Sequence, residues 1–320
     1  MSFKDIRGQE RPIEIIKECI KDSRQAKGWL FTGPEGIGKR LAAKTFAKAL
    51  NCQQGLPEDS CDNCASCFKI ENMQHPDIFF INNSESASIK IEDIRQMQKN
   101  LSLRPYEGRK KVYIIDNAHS FTPEASGAVL KILEEPPENS MIILISAKPA
   151  LLFKTVLSRC RVLKFYPMKR LVLKSILIND YGVDCACAHF LAYFSEGRLG
   201  AALKFKDEGL FKQKNIIINE LICNNKTGLN KSGFEDRESL RRALNIITVW
   251  FKDIYLIKAG HAEQELINID RKDDLLKSSQ AYSFAELDNL VNNISDSLLG
   301  IEQNLNVKLL LSNLRCSFNR

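Results

Sequence analysis

Short, wholly apolar runs alternate with amphipathic stretches through the first half of the chain; only the amphipathic pattern continues beyond. The runs around Trp29-Leu30-Phe31-Thr32, Ile78-Phe79-Phe80-Ile81, Val112 to Asp116, Met141 to Ile145 and Val162 to Phe165 have strand length and no polar face, so they predict buried strands. Between them, Ile13, Ile16 and Ile20 share one face and predict a helix over 12–22, with Pro12 suited to its first turn. Ala42, Phe46, Ala49 and Leu50 predict a helix over 39–50, and Ile91, Ile94, Met97 and Leu101 one over 91–101. A further helix is capped by Thr122, begun by Pro123 and stopped by Pro136-Pro137. Strands alternating with helices imply an α/β fold with a parallel sheet covered on both faces.

Past Pro167 no strand pattern is visible. Residues 167–207 predict a small helical unit. Residues 208–235 are polar and Asn/Lys-rich in places, which suits a loop. Leu240, Leu244, Ile247, Phe251 and Ile254 form the stripe of a helix from about Glu238 to Lys258. Ser283-x-x-Glu286 is a capping box opening the last helical region, which carries Leu287, Leu290, Val291, Ile294 and Leu298.

One turn in this pattern carries chemistry. Gly33-Pro34-Glu35-Gly36-Ile37-Gly38-Lys39-Arg40 lies between the first strand and its helix. A glycine-rich turn there aims backbone N–H groups and a helix N-terminus at phosphate, as in a P-loop. Gly33, Gly36, Gly38 and Lys39 fit G-x-x-x-x-G-K-[ST]; Arg40 replaces the Ser or Thr that would hold Mg²⁺, and a guanidinium only donates. Asp116, at a strand end, supplies the acid expected near the metal. The next residue, where a general base belongs, is Asn117, whose amide cannot take a proton from water. The two losses together predict a weak or dead ATPase, with ATP or ADP held and not cleaved if it binds.

Residues 51–77 lack apolar periodicity and hold Cys52, Cys61, Cys64 and Cys67. Four thiolates in this C-x8-C-x2-C-x2-C spacing can close a tetrahedral Zn²⁺ site, which is structural because no position stays open. An iron–sulfur run would place a further Cys-Pro downstream, and none is there. Cys185, Cys187 and His189 lie in an apolar helical run and read as buried apolar positions.

Bulk properties narrow the class only modestly. The 320 residues predict two or three domains, and 44% hydrophobic with 27% charged residues is a soluble composition. No apolar run approaches the roughly 18 residues of a membrane helix, and Met1 to Asp5 does not start a signal peptide, so a cytoplasmic protein without a membrane partner is expected. A net charge of +7 is compatible with nucleic acid and equally with a solvated surface.

Together the motifs resemble the bacterial DNA polymerase III clamp loader, in the AAA+ ATPase class. The likeness rests on Phe3-x-x-Ile6-x-Gly8-Gln9, the P-loop, the four cysteines, His75-Pro76-Asp77 and Asp116-Asn117-Ala118-His119. It continues through Leu130-Lys131-x-Leu133-Glu134-Glu135-Pro136-Pro137, Ser158-Arg159-Cys160, and Asn304-x-Asn306 followed by Leu309-Leu310-Leu311. The resemblance implies an AAA+ core over 1–166 with a zinc-binding insertion at 51–68, a helical lid over 167–207 and an all-α collar over 208–320. It implies gamma/tau and delta subunits, the sliding clamp and primer–template DNA as partners, in a heteropentamer. DNA contact would be to phosphate, hence salt-dependent and not sequence-specific. Motor subunits of the family carry Thr after the P-loop Lys, Glu after the strand Asp, and Arg in a lid motif where this chain has Gly200. Arg198 is two positions off, and Ser146 or Ala147 lies near the first sensor position. These departures point to a non-hydrolysing, stator-like member in which Arg159 serves as an arginine finger to a neighbour's ATP. Two alternatives stand beside it: a divergent gamma/tau-like ATPase that hydrolyses slowly, and a nucleic-acid-binding zinc module on a passive AAA+ body.

Overall fold

The computed structural model describes residues 1–21, 27–55, 58–81, 88–223, 236–262, 265–303, 305–306 and 309–310. The polar stretch 224–235, and Asn304 and Leu311 of the C-terminal motif, lie outside the described residues. The chain divides into two compact units, one of Met1–Lys169 with Arg198–Ala201, the other of Arg170–Gly197 with Ala202–Arg320.

The first unit alternates as expected: α1 (Glu10–Lys21), β1 (Gly28–Thr32), α2 (Lys39–Asn51), α3 (Ala65–Glu71), β2 (Ile78–Ile81), α4 (Ile91–Leu101), β3 (Lys111–Ile115), α5 (Pro123–Glu134), β4 (Ser140–Ser146), α6 (Lys154–Leu157) and β5 (Arg161–Lys164). The five strands form one parallel sheet in the order β2-β3-β4-β1-β5. Side chains alternate across a strand, and both faces here are dry. Trp29, Phe31, Ile143 and Ile145 pack on one side with Phe46 and Ala42 of α2 and Ile16 of α1. Leu30, Ile142, Leu144, Tyr113 and Ile115 pack on the other with Ile94 and Met97 of α4 and Val129 of α5. That is why the central strands read as continuous apolar runs.

The second unit is helical: α7 (Arg170–Asn179), α8 (Cys185–Phe194), most of α9 (Leu199–Asp207), α10 (Leu210–Cys223), α11 (Arg237–Lys258), α12 (Lys272–Ala281) and α13 (Phe284–Glu302). The predicted stripe of α11 is buried from Leu240 to Ile254. Ser283 caps α13 reciprocally, its N–H donating to Glu286 Oε2 at 2.7 Å and its hydroxyl accepting the Glu286 N–H.

Two expectations fail here. Residues 210–223 form a helix, not a loop. Leu210, Ile217 and Ile218 bury one face, and the same face carries Lys214, which is fully buried. Its ammonium meets both Asp270 oxygens at 2.7 Å and lies over Phe211 and Phe190. A buried lysine at the helix centre broke the apolar period and hid the helix. Cys185, expected inside, is exposed at the start of α8, while His189 is buried with Nε2 2.8 Å from the Leu266 carbonyl oxygen.

Candidate functional site

The P-loop folds as the motif demands. Gly33, Gly36 and Gly38 all have positive φ, of 143°, 73° and 102°. The first two also need to be glycine for space. A Cβ on Gly33 would stand 2.6 Å from the Phe165 carbonyl oxygen, and one on Gly36 2.8 Å from the Ala201 nitrogen. Lys39 turns back on its own loop, donating to the carbonyls of Gly33 at 2.5 Å and Pro34 at 2.6 Å. Burial lowers its pKa to about 8 against the opposing pull of Asp116 and Glu35. Arg40 brings no metal-holding hydroxyl to the loop. Its guanidinium lies over the Phe80 ring, 5.9 Å from the centroid.

The Arg198–Ala201 segment presses on the loop apex. The Gly200 N–H donates to the Gly36 carbonyl at 2.8 Å, and Arg198 Nη1 to the Glu35 carbonyl at 3.4 Å. A Cβ at position 200 would stand 2.7 Å from the Gly36 oxygen, so this approach requires glycine. Arg198 thus contacts backbone at the loop apex.

Across the sheet, Asp116 follows β3 and accepts the Asn117 N–H at 2.9 Å. Asn117 is left-handed, φ 53° and ψ 42°, a conformation that asparagine tolerates better than most residues. Ser146 is fully buried at the end of β4, its hydroxyl 3.3 Å from His119 Nδ1. Burial and Lys148 lower the His119 pKa, which keeps the imidazole neutral at pH 7.

Ser158-Arg159-Cys160 forms the turn from α6 into β5. Cys160 is the anchor. It packs against the sheet core, and burial raises its thiol pKa to about 12, so it is inert as a nucleophile. Arg159 points outward. Its Nη2 pairs with Glu134 Oε1 at 2.5 Å, and its Nη1 donates to the Thr155 carbonyl at 3.2 Å and the Ser158 hydroxyl at 3.3 Å. The Leu130–Pro137 and Ser158–Cys160 motifs therefore touch.

The four cysteines converge. Cys52 follows α2 directly, Cys64 caps α3, and all four sulfurs lie within 4.8 Å of one another. Cys61 and Cys67 sulfurs are 4.0 Å apart, against the ~3.8 Å edge of a tetrahedron with a Zn–S bond of about 2.3 Å. Among the described residues this is the one such group that can hold a metal ion. The Cys64 and Cys67 N–H groups donate to the sulfurs of Cys61 and Cys64. Burial opposes the Cys64 thiolate, but hydrogen bonds from Cys67 and Gln53 outweigh it and bring its pKa to about 6. The donor set and its spacing fit a tetrahedral metal.

Charge fastens this module to the P-loop helix. Lys48 of α2 is 1% exposed and pairs with Asp62 and with Glu71 of α3, which also pairs with Lys44. The loop after α4, rich in basic residues from Arg104 to Lys111, is also tied down. The Asp77 carboxylate accepts the N–H groups of Tyr106, Glu107 and Gly108 at 2.7–2.9 Å, and Asn51 Oδ1 accepts those of Arg109 and Lys110. Burial works against the Asp77 carboxylate; the three N–H bonds overcome it and lower its pKa. Asp77 was visible only as a motif residue; no local signal names its partners some thirty residues on.

Residues 8–169 match the family model described as DNA polymerase III, delta subunit. This chain belongs to that family. It is similar over nearly its whole length to the DNA polymerase III subunit delta' of Bacillus subtilis, with 27% identity over 315 residues covering 96% of this chain and 94% of that protein. Its place is thus with the clamp-loader delta-prime subunits. The tau/gamma subunit of Haemophilus influenzae is 38% identical over 159 residues, 50% of this chain and 23% of that protein. The B. subtilis tau subunit is 34% identical over 223 residues, 67% of this chain and 39% of that protein. The chain therefore spans well under half of these two relatives. A DNA polymerase III gamma-subunit-related protein of Thermotoga maritima has a similar structure, with a TM-score of 0.50 and 18% identity over 96% of this chain and 98% of that one, a likeness of fold alone.

Proposed function

We propose that this clamp-loader subunit does not hydrolyse ATP and instead presents Arg159 to ATP bound by a neighbouring gamma/tau-type subunit, in loading the sliding clamp on primed DNA. The observation that carries this reading is the closed P-loop apex: the N–H of Gly200, where the resemblance would put a sensor arginine in a motor subunit, donates to the Gly36 carbonyl at 2.8 Å. Lys39 spends its donors on Gly33 and Pro34, and Arg40 faces Phe80. Arg159, by contrast, is exposed on an anchored turn, where a guanidinium can meet phosphate oxygens of another chain. The parts follow the family: a core over 1–166, a lid over 167–207 and a collar over 208–320, with gamma/tau and delta subunits, the clamp and primer–template DNA as partners. Such a role in replication belongs in the cytoplasm; among the described residues no helix is long and apolar enough to cross a membrane.

The test is reconstitution with the motor subunit of the same organism, comparing wild type with Arg159→Ala. DNA- and clamp-stimulated hydrolysis is expected to fall by about 10³–10⁵-fold, the contribution of arginine fingers elsewhere. An unchanged rate defeats the trans-acting role, and robust phosphate release by this chain alone would favour the slow-ATPase reading, which Lys39 beside Asp116 keeps open.

Cys52, Cys61, Cys64 and Cys67 would hold a structural zinc ion whose binding energy folds residues 51–68. Native mass spectrometry should find stoichiometric zinc, and the paired change Cys64→Ser with Cys67→Ser should cost folded protein. Retained folding with lost DNA binding would instead identify a nucleic-acid-binding module.

A further inference from the structure

An exposed arginine is ordinarily free to sample many rotamers, yet Arg159 is held at three points. Two of them are local: the Thr155 carbonyl of α6 and the Ser158 hydroxyl of its own turn. The third, Glu134, is the last residue of α5 and comes from a different element. Backbone packing makes them meet. At the start of β1 a Cβ on Gly28 would stand 3.0 Å from the Leu133 side chain and 3.4 Å from the Arg159 carbonyl oxygen. Lys27 Nζ holds the Pro136 carbonyl at 3.1 Å, so the chain on either side of Glu134 is fixed by this one strand end. Leu133 and Cys160, the neighbours of the charged pair, are both packed on the same core.

We propose that Glu134 is a positioning residue for Arg159, setting the guanidinium plane before the neighbour's phosphate arrives. This rests on the trans-acting reading of Arg159. A long side chain ordered only at the moment of reaction gives up its rotamer freedom in the barrier; one already held does not. Glu134 takes one Nη2 bond, so the fork keeps further N–H groups to donate. Because both side chains of the pair are well exposed, with 36% and 48% of their surface in solvent, the contact contributes little to folding, and its effect is separable from stability.

The experiment uses the reconstituted loader with five versions of this chain: wild type, Glu134→Gln, Glu134→Asp, Arg159→Ala, and Glu134→Gln with Arg159→Ala. Glu134→Gln should lower kcat of stimulated hydrolysis about tenfold, with KM for ATP, complex yield and melting temperature of the free chain unchanged. Glu134→Asp should restore part of the rate, and Glu134→Gln should cost nothing more once Arg159 is Ala. The proposal fails if Glu134→Gln keeps the wild-type kcat, raises it, or lowers it equally in the Arg159→Ala background. A silent Arg159→Ala would sink the finger reading itself and is seen in its own arm.

Discussion

The Gly33–Arg40 loop and the Ser158–Cys160 turn are both anchored to the sheet and both carry a cation, yet they hold it in opposite ways. Lys39 is 6% exposed and satisfied by its own loop; Arg159 stands in solvent and is steadied from the side. The loop is sealed by a backbone contact from Gly200, while the turn is closed only on its inner side, by Cys160. Under the proposed role, a phosphate-binding motif serves as a structural turn without chemistry of its own, and a short tripeptide carries the cation that matters to another chain.

The comparison breaks most visibly in paired substitutions of those two cations. In the reconstituted loader, Arg159→Ala should remove hydrolysis by three orders of magnitude or more, whereas Lys39→Ala should leave the rate close to wild type. Equal losses would return the P-loop of this chain to the catalytic centre. A smaller effect sharpens the sealed side. Gly200→Ala places a methyl 2.7 Å from the Gly36 oxygen and should destabilise the chain by about 1–3 kcal/mol in urea unfolding, the cost of overpacking a tight contact. No loss of stability would mean that the seal is loose. The smallest effect concerns the floor shared by the loop helix and the cysteine module. Burial raises the Glu71 pKa, but Lys44 and Lys48 outweigh it and bring it to about 2, against 4.5 for the free side chain. Its contribution is therefore present above about pH 4.5 and lost as pH falls through 2. Glu71→Gln should flatten that part of the acid limb, and an unaltered limb would deny the pair a role in docking α3.

What could be read from the sequence was what repeats locally. The strands follow from short apolar runs and α4 from side-chain period, the P-loop from glycines between a strand and a helix, and the cysteine group from spacing within sixteen residues. What could not be read was set by partners far along the chain. Lys214 finds Asp270 fifty-six residues on, and that pairing makes a helix of a stretch that looked like a polar loop. α12 buries little beyond Leu275 and Ser279, so it left almost no apolar pattern to detect. Glu134 was visible as part of a motif, but nothing local says that its carboxylate meets Arg159 twenty-five residues later. Gly200 was read as a missing arginine. The structure adds that the missing side chain is what allows the backbone to close on Gly36.

That closure bears on how the chain could be engineered. Restoring Thr at Arg40 or Glu at Asn117 changes a side chain alone. Position 200 differs, because the space that a side chain would enter there is occupied by the Gly36 carbonyl. An arginine at 200 gains nothing until the Arg198–Ala201 segment lifts from the loop, so the three substitutions together should cost stability before they add activity. Under the proposed role, a motor-like site cannot be rebuilt in this chain one side chain at a time.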